Sequence, residues 1–262
     1  MSPVLIRTAL SLALVAVVGC AKPPPTFQDV PPAADLYAEG QEMLASGTWL
    51  WIFPRVKHTK AIEVFQSIID NYPYSEYAVL AELAIADSYF GEAKYEEALS
   101  YYRDFTDLHP QNEKVPYAIY RAAMCHAQRV ESPNRDQTAT RQALDFLDQL
   151  LATYPYSEYA DEGEDLWRKL RLQLALQVEN IGDFYMRRGE WESAAERYRS
   201  LLNEFPGLGL DAEGLYKLGV CYAEMNRLVE AESIFQAIVQ NYQDTDAASD
   251  AADQIADLER ET

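Results

Sequence analysis

The chain is short of the residue types on which most enzyme sites are built. Three cysteines, three histidines and eleven glycines occur in 262 residues. The cysteines stand at 20, 125 and 221 with no C-x-x-C pair, so neither a zinc site nor a disulfide framework is implied. His58, His109 and His126 are scattered, none with a second His or Cys at ligand spacing on a shared helix. Cys125 and His126 are immediate neighbours, which on a helix point to different faces. There is no G-x-S-x-G elbow and no glycine-rich phosphate loop. Catalysis, a metal and any other cofactor are all without support.

Positive charge is scarce too. Lys and Arg number 22 against 42 Asp and Glu, a net charge of -20. A nucleic-acid binder needs a basic footprint, so nucleic acid is excluded as a partner. The acidity itself serves solubility or forms an acidic docking face, and it assigns no function alone. Long apolar runs are also missing. The run over 8–18 is too short to span a bilayer and has the length of a signal-peptide core.

That short run follows a charged start ending at Arg7 and closes on Val17-Val18-Gly19-Cys20. The ending resembles the lipobox of bacterial lipoproteins. On this resemblance 1–19 is a signal peptide and Cys20 is the acylated first residue of the mature chain. Arg7 is the only ionised side chain in the leader, so its removal takes the net charge from -20 to -21. Stable anchoring needs more than one acyl chain, which the triacylated cysteine of lipobox proteins supplies. Ala21, in place of Asp after the cysteine, favours the outer membrane by the same resemblance. Five of the twelve residues over 21–32 are proline, which disfavours helix, so 20–32 reads as an extended tether.

The strongest internal signal is repetition. Tyr-Pro-Tyr-Ser-Glu-Tyr-Ala occurs at 72–78 and again, identically, at 154–160. Related punctuation at His109-Pro110, Phe205-Pro206 and Asn241-Tyr242 spaces the turns by 37, 45, 51 and 37 residues, the range of helical repeats. The tetratricopeptide pattern of about 34 residues asks for a small residue, then Tyr, Ala, an aromatic and Pro at set offsets. Ala86, Tyr89, Ala98, Tyr102 and Pro110 meet it, as do Gly182, Tyr185, Ala194, Tyr198 and Pro206. Gly219, Tyr222, Ala231 and Phe235 form a third match, with Gln243 in the proline place. Small residues let the two helices of a pair approach, the aromatic fills the gap, and proline ends the second helix.

Two further units are distorted. The first, from Ala33 to Pro73, keeps Ala61 and Phe65 but carries an insertion at 48–54 with Trp49, Trp51 and Phe53. The third, from Pro116 to Pro155, holds a polar loop at 131–136. Between Ser157 and Arg188 there is no proline, and Leu166, Leu170, Leu174, Val178, Ile181 and Tyr185 recur every three or four residues, which predicts one long helix. The expected organisation is repeats one to three over 33–156, a connecting helix over 157–188 that opens repeat four, and repeats four and five with a polar capping helix over 189–262. The fold class is all-α, a right-handed superhelix of about five tetratricopeptide-like helix pairs. Cys125 and Cys221 fall two repeats apart, too far for a disulfide, and are expected as buried free thiols. The loop aromatics, together with Tyr74 and Tyr77, make an anchor for an apolar or aromatic peptide if they are exposed.

Taken together, the lipobox, the tether and five repeats split three plus two by a long helix resemble the BamD family of outer-membrane protein assembly lipoproteins. The most telling stretch runs from Arg141-Gln142-Ala143-Leu144 through the second heptad to Phe184-Tyr185-Met186-Arg187-Arg188-Gly189-Glu190-Trp191. The resemblance implies a non-enzymatic scaffold of the β-barrel assembly machinery, facing the periplasm. Its partners would be a BamA-like insertase, unfolded outer-membrane β-barrel proteins and other assembly lipoproteins. Its N-terminal repeats would receive substrate in a groove lined by Tyr37, Asp87, Phe90, Tyr120 and Arg121. Its C-terminal repeats would dock on the insertase through Arg187, Arg188 and Arg197, the last matching the family's docking arginine in Glu196-Arg197-Tyr198. The insertion at 48–54 and the strong acidity depart from the family pattern. The alternative is a periplasmic tetratricopeptide lipoprotein serving as adaptor in pilus assembly or in peptidoglycan and cell-division coordination.

Overall fold

A computed structural model describes residues 30–45 and 57–261. The leader, Cys20, the tether up to Asp29 and the insertion at 48–54 lie outside the described residues. All regular structure among the described residues is α-helical. Helices α1 (Ala33–Ala45) and α2 (His58–Asn71) form the first pair, α3 (Glu76–Gly91) and α4 (Tyr95–Leu108) the second, α5 (Val115–Ala127) and α6 (Thr138–Thr153) the third. The fourth pair is α7 (Ala160–Arg187) with α8 (Trp191–Glu204), and the fifth is α9 (Asp211–Glu224) with α10 (Leu228–Asn241). Helix α11 (Asp246–Glu261) ends the stack. Helices touch mainly their neighbours in the chain, with α1 on α3 and α9 on α11 as added contacts, so the pairs wind into the superhelix their sequence period calls for.

Close approach within a pair is a steric demand. A Cβ on Gly40 would lie 2.5 Å from the Phe65 ring, one on Gly182 2.8 Å from the Tyr198 ring, and one on Gly219 2.5 Å from the Phe235 ring. These are closer than van der Waals contact allows, so only glycine lets those aromatics seat. Phe65, Tyr102, Tyr198 and Phe235 are fully buried, each worth about 2–3 kcal/mol of apolar burial. In the third pair Leu147, also fully buried, takes the aromatic's place.

The first-to-second helix turn in three pairs reverses through one left-handed residue, at Ala93 (φ 57°), Gly189 (φ 71°) and Asn226 (φ 60°). In each, the next backbone N–H reaches back across the helix end: Lys94 to Tyr89, Glu190 to Tyr185 and Arg227 to Tyr222. This bond satisfies a carbonyl that the helix end would leave without a partner. At the far end, Ala247, Ala248 and Ala251 of α11 bury against the last pair while its other face is acidic. No helix among the described residues is long and apolar enough to cross a membrane.

Helix α7 opens later than the periodicity suggests. In the first heptad Ser75 caps α3, its Oγ accepting from the Tyr77 N–H at 3.0 Å, and the helix begins at Glu76. In the second, the Ser157 Oγ has no hydrogen-bond partner and the helix begins only at Ala160.

Candidate binding groove

On the face formed by the first helices of pairs one to three, Asp87 of α3 is the hub. Its carboxylate accepts from the Tyr102 hydroxyl at 2.5 Å and the Tyr117 hydroxyl at 2.6 Å. Arg121 of α5 stands 3.5 Å from the same oxygen and donates from Nε to the Tyr102 hydroxyl at 3.1 Å. The Arg121 guanidinium also lies 3.9 Å from the centre of the Phe90 ring, a cation–π contact. Burial, reinforced by the nearby Asp87 charge, pushes the Tyr102 and Tyr117 hydroxyls well above their ordinary range, so both remain donors. Burial opposes the Arg121 charge, but Tyr102, Tyr117 and Asp87 more than offset it.

Of the five groove residues expected, Asp87, Phe90 and Arg121 therefore form one bonded cluster. Phe90 has one ring face under Arg121 and Tyr95 at 5.2 Å, so it forms wall more than free contact surface. Tyr37 joins from α1, its ring tilted against Tyr77 at 5.7 Å and lining with Gln41, Asp87, Lys114, Tyr117 and Tyr159 a cavity of about 180 Å3. Tyr120 stands beside it, its ring stacked on Tyr159 at 5.8 Å. Tyr102, Tyr117 and Tyr159 were not foreseen in this site. Tyr102 reads from sequence as core and is fully buried, yet its hydroxyl bonds Asp87. Tyr77 is packed and so is no free anchor, whereas Tyr74 and its repeat counterpart Tyr156 are fully exposed.

The same device recurs in the second half. Tyr198 donates to Asp183 at 2.6 Å, and Lys217 of α9 sits 2.9 Å from Glu179, 3.0 Å from Asp183 and 3.5 Å from Glu213. Asp87 to Arg121 and Asp183 to Lys217 are both 34 residues, one repeat period. Burial opposes the Lys217 charge, but its carboxylates raise it above the ordinary lysine value.

The three docking arginines are all exposed. Arg188 pairs with Glu190 at 2.7 Å and covers the half-exposed Phe184 ring. Arg187 lines a shallow cavity of about 350 Å3 with Phe184, Asn180 and Asn134. The loop that supplies Asn134 is tied to α7, where Gln173 donates to the Glu131 carbonyl at 2.6 Å. Arg197 makes no ion pair with a described residue.

The remaining candidate ligands are occupied in packing. Among the described residues no three His, Cys, Asp or Glu gather as a metal would need. His109 pairs with Glu82 at 2.8 Å, and His126 is buried on Phe146. Cys125 and Cys221 are buried free thiols, pushed up by desolvation to about 12 and about 11, which leaves them unreactive.

Comparison with known proteins agrees with this architecture. Residues 213–245 match the tetratricopeptide repeat. The chain is 28% identical over 233 residues to the outer membrane protein assembly factor BamD of Caulobacter vibrioides, covering 86% of this chain and 73% of that one. The BamD of Vibrio cholerae is 29% identical over 74% of this chain and 81% of its own. The BamD of Rickettsia prowazekii is 28% identical over 91% of each. The model of the YfiO family, described as outer membrane lipoprotein, matches residues 29–227, well over half of the 262, and the chain belongs to that family.

Proposed function

We propose that this chain is a non-enzymatic scaffold for assembling β-barrel proteins at the outer membrane, held there by lipid on Cys20 and facing the periplasm. The BamD relatives that match across most of its length carry this reading. The groove of Tyr37, Asp87, Phe90, Tyr120 and Arg121 takes an extended segment of an unfolded barrel protein. Its tyrosine hydroxyls, Gln41 and Lys114 offer hydrogen bonds to a backbone, and its rings offer apolar contact. Arg197, exposed and without an ion pair to any described residue in an acidic chain, docks the second half on an acidic patch of a BamA-like insertase, together with Arg187 and Arg188.

A pull-down of the full chain in mild detergent, with mass spectrometry of what stays bound, tests both halves of the proposal. We expect the insertase to be recovered with the parent and lost with Arg197→Glu, and unfolded barrel proteins to be depleted by Tyr120→Ala. Recovery of pilus or peptidoglycan proteins in their place would discard the assembly role.

A further inference from the structure

The turn after α6 closes a second cavity, of about 510 Å3, at the edge of the stack. Its walls are the rings of Tyr154, Tyr156 and Tyr159 and the side chains of Glu158 and, from the preceding turn, Glu113. No Lys or Arg lines it. Ser157 belongs to the same lining, and its Oγ is buried without a partner. Tyr156 is fully exposed, so its ring is at liberty to close over an occupant.

Aromatic faces beside carboxylates recognise cations, because a ring's negative face and a formal charge attract the same group. We propose that this cavity binds a cationic side chain, arginine ahead of lysine, presented by a partner polypeptide at the edge of repeat three. Arginine is preferred because its planar guanidinium stacks on a ring while its N–H fork meets a carboxylate. The surrounding charge suits it. The two turns that frame the cavity carry Glu113 and Glu158, α7 opens beside them on Asp161 and Glu162, and the single lysine of those turns, Lys114, lines the groove cavity instead.

The duplicated heptad supplies an internal control. In the first copy the serine is used as a helix cap, and Tyr74 is as exposed as Tyr156. The test is ligand-observed saturation-transfer NMR on the full chain in mild detergent, with N-acetyl-arginine amide as probe and its neutral citrulline counterpart beside it. We expect transfer to the arginine methylenes with the parent chain and none to citrulline. Affinity should fall about five-fold or more in Glu113→Gln/Glu158→Gln and in Tyr156→Ala, as the loss of two ion pairs or one ring implies. Tyr74→Ala should bind as the parent does. All four positions are exposed, so the fold is not at stake, and circular dichroism checks it. Equal binding of citrulline, undiminished binding by the double glutamine variant, or equal losses from Tyr74→Ala and Tyr156→Ala would each overturn the proposal.

Discussion

Replacing Gly182 by alanine tests the steric account of the helix pairs most directly. Alanine favours a helix interior over glycine by about 1 kcal/mol, so propensity alone predicts a gain. The new Cβ, however, would stand 2.8 Å and 2.9 Å from the Cε1 and Cζ atoms of Tyr198. That ring cannot simply move, because it is fully buried and its hydroxyl is held by Asp183 at 2.6 Å. Overpacking of this kind costs about 1–3 kcal/mol, and loosening a hydrogen bond to a carboxylate adds about 1.5–3 kcal/mol if the ring shifts far enough. The net expectation is a loss of about 0–2 kcal/mol, rising to about 1.5–5 kcal/mol where the hydrogen bond is loosened. Gly214→Ala is the matched control. Its Cβ would meet the Cδ2 atoms of Leu201 and Leu202 at 3.2 Å and 3.3 Å, methyl ends that yield by small rotations, so the propensity gain should survive. At about 2–4 °C per kcal/mol for a chain of this size, the two variants should melt at least ~2 °C apart by circular dichroism at 222 nm, with Gly182→Ala the lower. A Gly182→Ala chain that melts at or above Gly214→Ala would refute the close-approach argument.

The Lys217 cluster gives a second prediction. Lys217→Met leaves Glu179 and Asp183, with side chains 12% and 29% exposed, facing each other without their cation, and should cost about 2–4 kcal/mol in urea unfolding. Glu179→Gln in that background should restore part of it, and an unchanged midpoint in the single variant would contradict the assignment. His126 supplies a third. Burial, then Arg129, lowers its pKa below the ordinary 6.5, so below that pH the unfolded chain binds the extra proton first and stability is lost as pH falls. His126→Gln should flatten the stability profile just below pH 6.5. A slope that persists in the variant would assign it to other groups.

Much of the helix order is written in the chain, because small and aromatic residues recur at the offsets a helix pair requires. What escaped the sequence turns on tertiary context. Two identical heptads open their helices at different residues, Glu76 and Ala160. Tyr77 is drawn against Tyr37 in one copy and Tyr159 against Tyr117 and Tyr120 in the other, and local propensity is the same for both. The groove was partly legible for a similar reason. Asp87 and Arg121 stand out as charges on the first helices, whereas Tyr102 reads as pure core until its buried hydroxyl is seen to bond them both. The 34-residue interval from Asp87 to Arg121, repeated from Asp183 to Lys217, was the signal available for finding both clusters.

The neighbour-to-neighbour contact order of the helices bears on how the chain survives its own synthesis. Contacts between segments adjacent in the chain form quickly, since little loop entropy is spent before they are made. Each pair can close on the one before it as it emerges, without waiting for α11. Cys125 and Cys221 are then covered within the time their own repeats take to fold. On the periplasmic side proposed above, where exposed thiols are oxidised, folding in chain order is a race these two cysteines win early. Once covered, their raised pKa values keep the thiolate population, and with it the rate of oxidation, low.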